Sequence, residues 1–373
     1  MKKLDLKKLE SNINKIAEFD FDNKKCFGTA YYVYQDGNLE LERCYGHLSV
    51  DGEIPVTDKT LFRLASMTKP ITAVATLILV ERGLLNLDDP ICKYLPEFAT
   101  VHIIDEKGQD LGLPKKQPTI RNLLTHTSGI GSLPEKIEKL TDNDRKDIDS
   151  TLRFFLNAGL DFEPSEAEMY SGTAAFDVLV KIIEIVSQTD YLSFLTKEIF
   201  EPCGMIDTTF VPDSEQTSRL IEMHTREGGE NAVFKMREGS IFEEYPSSHY
   251  LGGAGLASTL CDYGRFAKML LENGMTDKGR LVSEASIKEM STPQFPVHQL
   301  ESWGLGVRVI IDGTLSALPK GCFGWSGAYG SHFWIDPENG ITAVYMKNSK
   351  VDGGAANESA RNFEKAVYGS FED

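Results

Sequence analysis

The sequence predicts an α/β (α+β) fold, with an antiparallel sheet formed by both ends of the chain and a mainly helical part inserted between them. Two hairpin patterns support this prediction. Near the start, residues 27–34 and 39–45 flank a Gln-Asp-Gly-Asn turn. Near the end, residues 331–336 and 341–347 flank a Pro-Glu-Asn-Gly turn. Helical patterns fill most of the chain between the hairpins, so we expect the two termini to build one sheet that helices flank.

Apolar spacing and capping residues predict the helices. Residues 67–82 are apolar on nearly every side, which predicts a buried helix that Gly83 ends. Thr119 is positioned to cap a short helix through residues 121–124, with Gly129 near its end. The other predicted helices cover residues 1–19, 174–187, 191–200, 262–273, 284–290 and 355–368.

The remaining segments complete the predicted organisation. A further strand is expected around residues 304–311, and the charged stretch 134–150 is interpreted as an exposed loop or a solvated helix. We assign residues 1–70 and 225–373 to the sheet domain, and residues 71–224 to the helical subdomain. These boundaries are approximate.

Composition excludes several classes of protein. The chain has 373 residues, of which 41% are hydrophobic and 25% charged, as in a globular protein rather than a disordered or fibrous one. The charge sum of 39 − 56 = −17 disfavours nucleic acid and anionic membranes as partners. The first residues contain charges throughout and lack the apolar core of a secretory signal, so we expect a cytoplasmic protein.

The cysteines and histidines indicate neither disulfides nor a metal site. The six cysteines are scattered without paired spacing, which favours reduced and mostly buried thiols. The seven histidines form no His-Glu-x-x-His motif, so we expect no metal ion and no cofactor. His126 is interpreted as a structural or capping residue rather than a catalyst.

The strongest chemical signal is Ser66-Met67-Thr68-Lys69, at the start of the predicted buried helix. Residues three apart in a helix share one face, so the Lys69 amine can reach the Ser66 hydroxyl. A lysine in a dry pocket can lose its proton and serve as the base that a serine nucleophile needs. A Ser-x-x-Lys pattern also occurs by chance. However, a solvent-facing lysine is not expected at the start of a helix that is apolar on every side.

Two other segments are candidates for catalysis and substrate binding when they are considered together with this pattern. Tyr170-Ser171-Gly172 precedes the predicted helix 174–187, where a tyrosine hydroxyl can enter a cleft and act as a base beside a cationic lysine. Gly324-Trp325-Ser326-Gly327-Ala328 leads toward the strand at residue 331. A backbone N–H in that segment can pair with the N–H of Ser66 as an oxyanion hole. Taken alone, Tyr170 is better explained as a residue that packs in a domain seam, and residues 324–328 are consistent with a tight turn that packs a tryptophan.

Together these segments resemble the serine β-lactamase-related hydrolases, a family that includes class C β-lactamases, D-alanyl-D-alanine carboxypeptidases and family VIII carboxylesterases. The resemblance covers most of the chain and implies a β-lactamase/transpeptidase-like fold. Six segments match in the family's order: residues 61–69, 83–90, 120–129, 199–210, 252–256 and 325–327.

The resemblance also implies a mechanism. Ser66 would attack a carbonyl and become acylated, Lys69 and Tyr170 would share the proton transfers, and the N–H groups of Ser66 and Ala328 would hold the oxyanion. Water would then release the acyl group. Lys69 and Tyr170 form a coupled pair, so the sequence leaves open which of them is the resting base.

Two departures from the family pattern bear on the substrate. Gly172 stands where the family's Tyr-x-Asn motif has asparagine, and Trp325 stands where penicillin-recognising members have the lysine of Lys-Thr-Gly. An indole favours flat, uncharged groups over an anion. We therefore expect Gly172, Trp325, Ser326 and Gly327 to bind a small carboxylic ester. The alternatives are a β-lactamase, a D-alanyl or D-amino-acid amidase or peptidase, and a non-catalytic protein that binds acyl ligands.

A rival nucleophile is Ser326, because residues 324–328 nearly match the Gly-x-Ser-x-Gly elbow of α/β-hydrolases. We reject this interpretation since the last position is Ala328, the segment leads into a strand, and only His332 follows among the histidines. The expected partner is thus a small-molecule ester or amide, with neither nucleic acid nor membrane. The sequence sets no oligomeric state.

Overall fold

The computed structural model describes residues 2–227, 230–233, 249–298, 300–314 and 317–372. The helices in these residues are α1 Leu6–Asp22, α2 Lys69–Glu81, α3 Ile120–Leu124, α4 Pro134–Ile137, α5 Ile148–Ala158, α6 Ala174–Ser187, α7 Tyr191–Leu195, α8 Glu201–Cys203, α9 Ser214–Ser218, α10 Leu260–Leu271, α11 Glu284–Ser291 and α12 Glu358–Tyr368. The strands are β1 Gly28–Gln35, β2 Asn38–Gly46, β3 Leu61–Arg63, β4 Ile103–Ile104, β5 Asp110–Gly112, β6 His224–Glu227, β7 Glu230–Val233, β8 Ala257–Thr259, β9 Met275–Thr276, β10 Gly279–Arg280, β11 Phe295–His298, β12 Glu301–Trp303, β13 Arg308–Ile310, β14 Phe323–Ser326, β15 His332–Asp336 and β16 Ile341–Met346.

The main sheet joins the two ends of the chain. Its eight strands run in the order β11-β12-β13-β14-β15-β16-β1-β2, and each neighbouring pair is antiparallel. Strand β1 pairs with β16 from Ala30 opposite Met346 to Gln35 opposite Ile341. The predicted fold class and both predicted hairpins are therefore confirmed.

Helices cover both faces of this sheet. Alternate residues of a strand point to opposite faces, and the two faces of β1 accordingly belong to different apolar clusters. Tyr32 belongs to the large core that also contains residues of α2, α6 and α10, whereas Tyr31 packs in a second cluster with residues of α1 and α12. Because both faces are covered, all eight residues of β1 are buried.

The segment that carries Ser66 enters its helix through a sharp bend. Ala65 has a φ of 46°, in the left-handed region that residues other than glycine rarely occupy. A short 3₁₀ turn, Ala65–Thr68, follows and leads directly into α2. Every α2 residue from Lys69 to Leu79 is buried, as the apolar pattern predicts, and Gly83 follows the helix with a φ of 69°.

Several elements differ from the predictions. The strand expected around residues 304–311 is only β13, because the Gly304 N–H bonds to the Val307 carbonyl in a turn at 2.9 Å. Helix α5 begins at Ile148, near the end of the charged stretch 134–150, and Asp147 caps it. The segment predicted as one helix over 191–200 is α7 followed by a π-helical turn, Thr196–Phe200. The domain boundaries at 70/71 and 224/225 stay a prediction, and residues 234–248 lie outside the described residues.

The six cysteines are free thiols, of which Cys26, Cys203 and Cys322 are buried. In the part of the chain that the structure describes, no helix is both long enough and apolar enough to span a bilayer.

A buried ionic cluster ties the terminal helices to the sheet. The fully buried Lys347, just after β16, lies 2.6 Å from Asp352. The Ser359 hydroxyl of α12 lies 2.9 Å from Asp352 and 2.8 Å from Asp20 of α1. The cation therefore sits beside carboxylates that burial would otherwise destabilise.

We expect Lys347→Met to lower the free energy of unfolding by about 3–5 kcal/mol, because it leaves buried carboxylates without their cation. Urea denaturation measures the change. Lys93→Met is the matched control, since Lys93 pairs with Asp89 at the surface and its loss should leave the midpoint unchanged within error. Equal effects of the two substitutions would contradict the proposed importance of the buried cluster.

Candidate active site

The Lys69 amine is held in place by two backbone carbonyl groups. Its Nζ donates to the Gly172 oxygen at 2.6 Å and to the Gly253 oxygen at 2.8 Å, and the side chain is fully buried. The Ser66 Oγ lies 3.4 Å from the same nitrogen. Since two N–H bonds are directed at carbonyls, the remaining position on Nζ faces Ser66, as a third N–H in the ammonium or as a lone pair in the amine. The same arrangement therefore serves both protonation states.

Tyr170 contacts both Ser66 and Lys69. Its hydroxyl donates to Ser66 Oγ at 2.7 Å, and its ring centroid lies 4.8 Å from Lys69 Nζ. Tyr170 is 38% exposed, so the serine lies where solvent and a small molecule can reach it. The structure thus brings together the three residues that the sequence predicts to be catalytic.

Gly253 is a site residue that the sequence analysis did not single out. A Cβ at this position would lie 2.7 Å from the Gly172 oxygen and 3.1 Å from Lys69 Nζ, so only glycine lets the two carbonyls converge on the amine. The segment 252–256 is part of the family resemblance. Its role was not readable, however, because a glycine in the sequence does not show which distant groups pack against it.

The predicted oxyanion segment is the end of a strand followed by a tight turn, in which the Gly330 N–H donates to the Gly327 carbonyl at 3.0 Å. Strand β14 ends at Ser326, and a Cβ on Gly327 would lie 2.4 Å from the Leu64 carbonyl oxygen. Ala328 follows immediately, so its backbone belongs to a segment that packs against the residues preceding Ser66. The pairing of the Ser66 and Ala328 N–H groups in an oxyanion hole stays a prediction.

Ser326 has its own polar partners. Its hydroxyl lies 2.8 Å from His332 Nδ1, and His332 Nε2 lies 3.1 Å from the Glu364 carboxylate. The sequence analysis identified His332 as the histidine that follows Ser326. It did not indicate that Glu364 of α12 would contact His332. The Ser326 hydroxyl is thus engaged with β15 and α12.

An aromatic wall lies beside Tyr170. The Tyr170 ring centroid is 5.7 Å from Trp325 and 6.1 Å from Trp303, and the two indoles are 5.0 Å apart. Trp303 also donates its indole N–H to Glu168 at 2.7 Å. Trp325 was predicted for substrate binding, whereas Trp303 on β12 was not predicted. Both indoles are buried, so they pack against Tyr170 and leave its ring as the exposed apolar surface next to Ser66.

His126 fixes the segment that carries Tyr170. Its Nδ1 accepts the Ser171 N–H at 3.1 Å, and its carbonyl accepts the Met169 N–H at 3.1 Å. Burial lowers the pKa of His126 well below its ordinary value, and the charges of Lys69 and Arg308 lower it further. The imidazole is therefore neutral and carries its proton on Nε2. Within the described residues, no group of three or more His, Cys, Asp or Glu side chains is arranged to hold a metal ion.

Comparisons with known proteins support the family resemblance. The family model described as "Beta-lactamase" matches residues 9–366. The chain belongs to the beta-lactamase family. Protein Rv1367c of Mycobacterium tuberculosis is 28% identical, over 88% of this chain and 88% of the relative. Esterase EstB of Burkholderia gladioli is 27% identical, over 94% of this chain and 93% of the esterase.

Among solved structures, "EstCE1, a hydrolase with promiscuous acyltransferase activity" superimposes with a TM-score of 0.84 at 22% identity. The match covers 97% of this chain and 99% of EstCE1. The predicted family resemblance and the β-lactamase/transpeptidase-like fold are both confirmed.

Two glycine variants test whether the position of Lys69 depends on the two carbonyls that hold it. We expect Gly253→Ala to lower kcat by about tenfold or more, because the new methyl group pushes the Gly172 carbonyl or Lys69 out of position. Gly172→Ala is the matched control, since a Cβ there meets no atom within 4 Å. The measurement is kcat on an acetate ester, with thermal melting to verify folding. A larger loss in Gly172→Ala than in Gly253→Ala would contradict the described contacts.

The neutral state of His126 leads to a pH-dependent stability. Below pH 6.5 the unfolded chain gains a proton on this imidazole and the folded chain does not, so stability falls as the pH falls. From about pH 7.5 to 5.5, the wild type should lose about 1.4 kcal/mol more unfolding free energy than His126→Gln. Urea titrations at both pH values test this. Parallel losses in the two proteins would show that folding does not lower the pKa of His126, which would contradict its neutral state in the folded protein at low pH.

Proposed function

We propose that the protein is a serine hydrolase that cleaves small carboxylic esters through an acyl-enzyme on Ser66. The observation that carries this proposal is the position of Ser66 Oγ, 3.4 Å from Lys69 Nζ and 2.7 Å from the Tyr170 hydroxyl, beside an exposed tyrosine. A nucleophile within reach of its base, with the base fixed by further groups, is typical of covalent catalysis. Here the two carbonyls fix the base.

In the proposed acylation step, Ser66 Oγ attacks the ester carbonyl carbon while its proton passes to the Lys69–Tyr170 pair. The carbonyl electrons move onto oxygen, where the N–H groups of Ser66 and Ala328 stabilise the negative charge. The C–O bond to the alcohol then breaks, and the departing oxygen takes a proton from Tyr170. Lys69 retains its two carbonyl contacts throughout, so its position does not change during proton transfer.

The same groups serve deacylation. A water molecule that enters past the exposed Tyr170 ring gives a proton to the Lys69–Tyr170 pair and attacks the acyl carbon. The tetrahedral intermediate collapses, the acid leaves, and Ser66 Oγ regains its proton. Because Lys69 and Tyr170 contact the same oxygen, the proton taken in one step is available in the next.

Two features favour an ester over an amide or a β-lactam. Gly172 supplies a carbonyl to Lys69 but no side-chain amide to hold a substrate amide. Trp325 places an apolar ring, rather than a cation, where a substrate carboxylate would need its partner. A relative that aligns over most of the chain is named as an esterase. The net charge of −17 further favours a small-molecule substrate over nucleic acid or an anionic membrane.

Transfer of the acyl group to an alcohol is a second candidate activity. The exposed ring of Tyr170 lies beside Ser66 Oγ and offers apolar surface, on which an organic alcohol packs better than water. EstCE1, which shares the fold, is described as a hydrolase with promiscuous acyltransferase activity. An acyl-enzyme that an alcohol attacks in place of water yields a new ester by the same proton transfers.

The proposal assigns separate roles that mutation can test. Ser66→Ala should abolish turnover of p-nitrophenyl acetate and leave the fold intact. Lys69→Ala and Tyr170→Phe should each lower kcat by about a hundredfold or more, because each removes a proton-transfer group. A fluorophosphonate should label Ser66 and not Ser326, as mapped by mass spectrometry. Ser214→Ala, at the exposed start of α9, is the matched control and should match the wild type.

Near-wild-type rates in both Lys69→Ala and Tyr170→Phe would refute the assigned roles. A stoichiometric burst without turnover would indicate a protein that binds acyl ligands without catalysis. Nitrocefin and a D-alanyl amide, assayed beside the esters, decide between an esterase and an enzyme of the β-lactamase or D-amino-acid amidase type. Faster turnover of either would overturn the ester assignment.

A further inference from the structure

The Gly253 carbonyl that holds Lys69 belongs to a segment with little stiffness of its own. Residues 251–255 read Leu-Gly-Gly-Ala-Gly, and glycine has more backbone freedom than any other residue. The glycine before Gly253 is nevertheless required, because a Cβ on Gly252 would lie 2.5 Å from the Phe176 carbonyl oxygen of α6. Contacts with other segments are therefore needed to fix the direction of the Gly253 carbonyl.

Thr72 holds the carbonyl of the neighbouring residue, Gly252. It lies one turn after Lys69 on α2, so the two side chains share one face of the helix. The Thr72 hydroxyl donates to the Gly252 oxygen at 2.6 Å, and Lys69 Nζ donates to the Gly253 oxygen at 2.8 Å. Two consecutive carbonyls of the glycine segment are thus bound by two residues one turn apart on α2.

Tyr191, the first residue of α7, supports Thr72 from behind. Its hydroxyl lies 2.6 Å from Thr72 Oγ1. A hydroxyl has a single hydrogen, and Thr72 directs its own at Gly252, the nearer of two carbonyl acceptors, since the Thr68 oxygen lies at 3.4 Å. Tyr191 is therefore the donor to Thr72. Burial raises the pKa of this phenol, which keeps its proton. The hydrogen bonds run in one direction, from Tyr191 through Thr72 to Gly252.

Asp177 of α6 holds the other backbone group of Gly252. Its Oδ1 accepts the Gly252 N–H at 3.2 Å, and His249 Nε2 lies 3.6 Å from its second oxygen. The Asp177 side chain is fully buried, as are those of Thr72 and Tyr191. Burial of polar groups is costly unless they have partners. In this part of the core, three such groups converge on a single glycine.

The peptide group that contains the Gly253 carbonyl is held as well. This carbonyl shares a rigid plane with the Ala254 N–H, and the Ala254 N–H donates to the Leu251 carbonyl at 3.3 Å. The peptide groups on both sides of Gly252 and the one after Gly253 therefore all have fixed partners. The Gly253 oxygen points at Lys69 because its neighbours are held in place.

We propose that three buried side chains are positioning residues for the base of the proposed hydrolysis: Thr72, Tyr191 and Asp177. They act through the glycine segment, which directs the Gly253 carbonyl at the Lys69 amine. The inference rests on the proposed ester hydrolysis at Ser66 and identifies residues on which the geometry of that site depends. When the carbonyl is loosened, the Lys69 amine turns away from Ser66, so proton transfer slows while the ester still binds.

Two threonines of α2 provide a matched comparison. Thr72→Val should lower kcat on p-nitrophenyl acetate by about tenfold or more and leave KM within about twofold, because the base is misdirected and the ester pocket is not. Thr72→Ser keeps the hydroxyl and should recover most of kcat. Thr76→Val is the control, since Thr76 is equally buried and its hydroxyl donates to the Thr72 carbonyl inside the helix at 2.9 Å. The control should keep the wild-type kcat, and thermal melting verifies folding of each variant.

A double-mutant cycle shows whether the effect passes through Lys69. In a Lys69→Ala background the positioned base is gone, so adding Thr72→Val should change kcat by less than about twofold. A general disturbance of the pocket would instead lower kcat by the same factor in both backgrounds.

Variants of the other two residues test the direction of the contacts. Asp177→Asn keeps an oxygen for the Gly252 N–H and should keep kcat within about threefold, whereas Asp177→Leu removes it and should lower kcat by about tenfold or more. Tyr191→Phe leaves the bond from Thr72 to Gly252 in place, so it should cost less than Thr72→Val. Equal losses in Asp177→Asn and Asp177→Leu would show that the charge matters rather than the contact, and would overturn the role of Asp177.

The outcomes separate this inference from the proposed function. Equal kcat values in Thr72→Val and Thr76→Val, no recovery in Thr72→Ser, or full additivity with Lys69→Ala would overturn the inference while hydrolysis at Ser66 stands. Failure of the wild type to hydrolyse any ester would overturn the proposed function itself.

Discussion

The arrangement of the site depends on one buried interaction, in which two backbone carbonyls hold the Lys69 amine against Ser66. A buried amine is costly unless its hydrogens have acceptors, and here the acceptors are the oxygens of Gly172 and Gly253. They come from positions 103 and 184 residues further along the chain. Three distant segments must therefore meet before Lys69 lies beside Ser66, so the proposed nucleophile and its proposed base come together only in the folded protein.

The fold holds these three segments in fixed positions. The sheet formed by both termini brings the end of β14 against the residues that precede Ser66, and the bend at Ala65 directs the chain into α2. His126, which also has a left-handed φ of 56°, holds the backbone on both sides of Tyr170. Strain at these two non-glycine residues is consistent with a site whose geometry is imposed by its surroundings.

Local patterns in the sequence were sufficient for the fold class and for the approach of Lys69 to Ser66. Hairpin alternation predicted the joined sheet, and helical spacing placed Lys69 one turn from Ser66. The features that were missed depend on long-range packing. Gly253 is required by the approach of Gly172 and Lys69 from distant segments, and Trp303 contacts Tyr170 only because β12 joins the sheet. The pattern of residues 324–328 did not show where the strand ends: Phe323–Ser326 pairs as a strand on both sides, and a turn follows it.

A crystal structure of the enzyme inactivated by a fluorophosphonate tests the central claim most directly. The account predicts phosphorus bonded to Ser66 Oγ, with the phosphonyl oxygen about 2.7–3.1 Å from the backbone nitrogens of Ser66 and Ala328. Lys69 Nζ should still contact the oxygens of Gly172 and Gly253. An adduct on a different residue, or a Lys69 amine that has left both carbonyls and turned away from Ser66, would contradict the account.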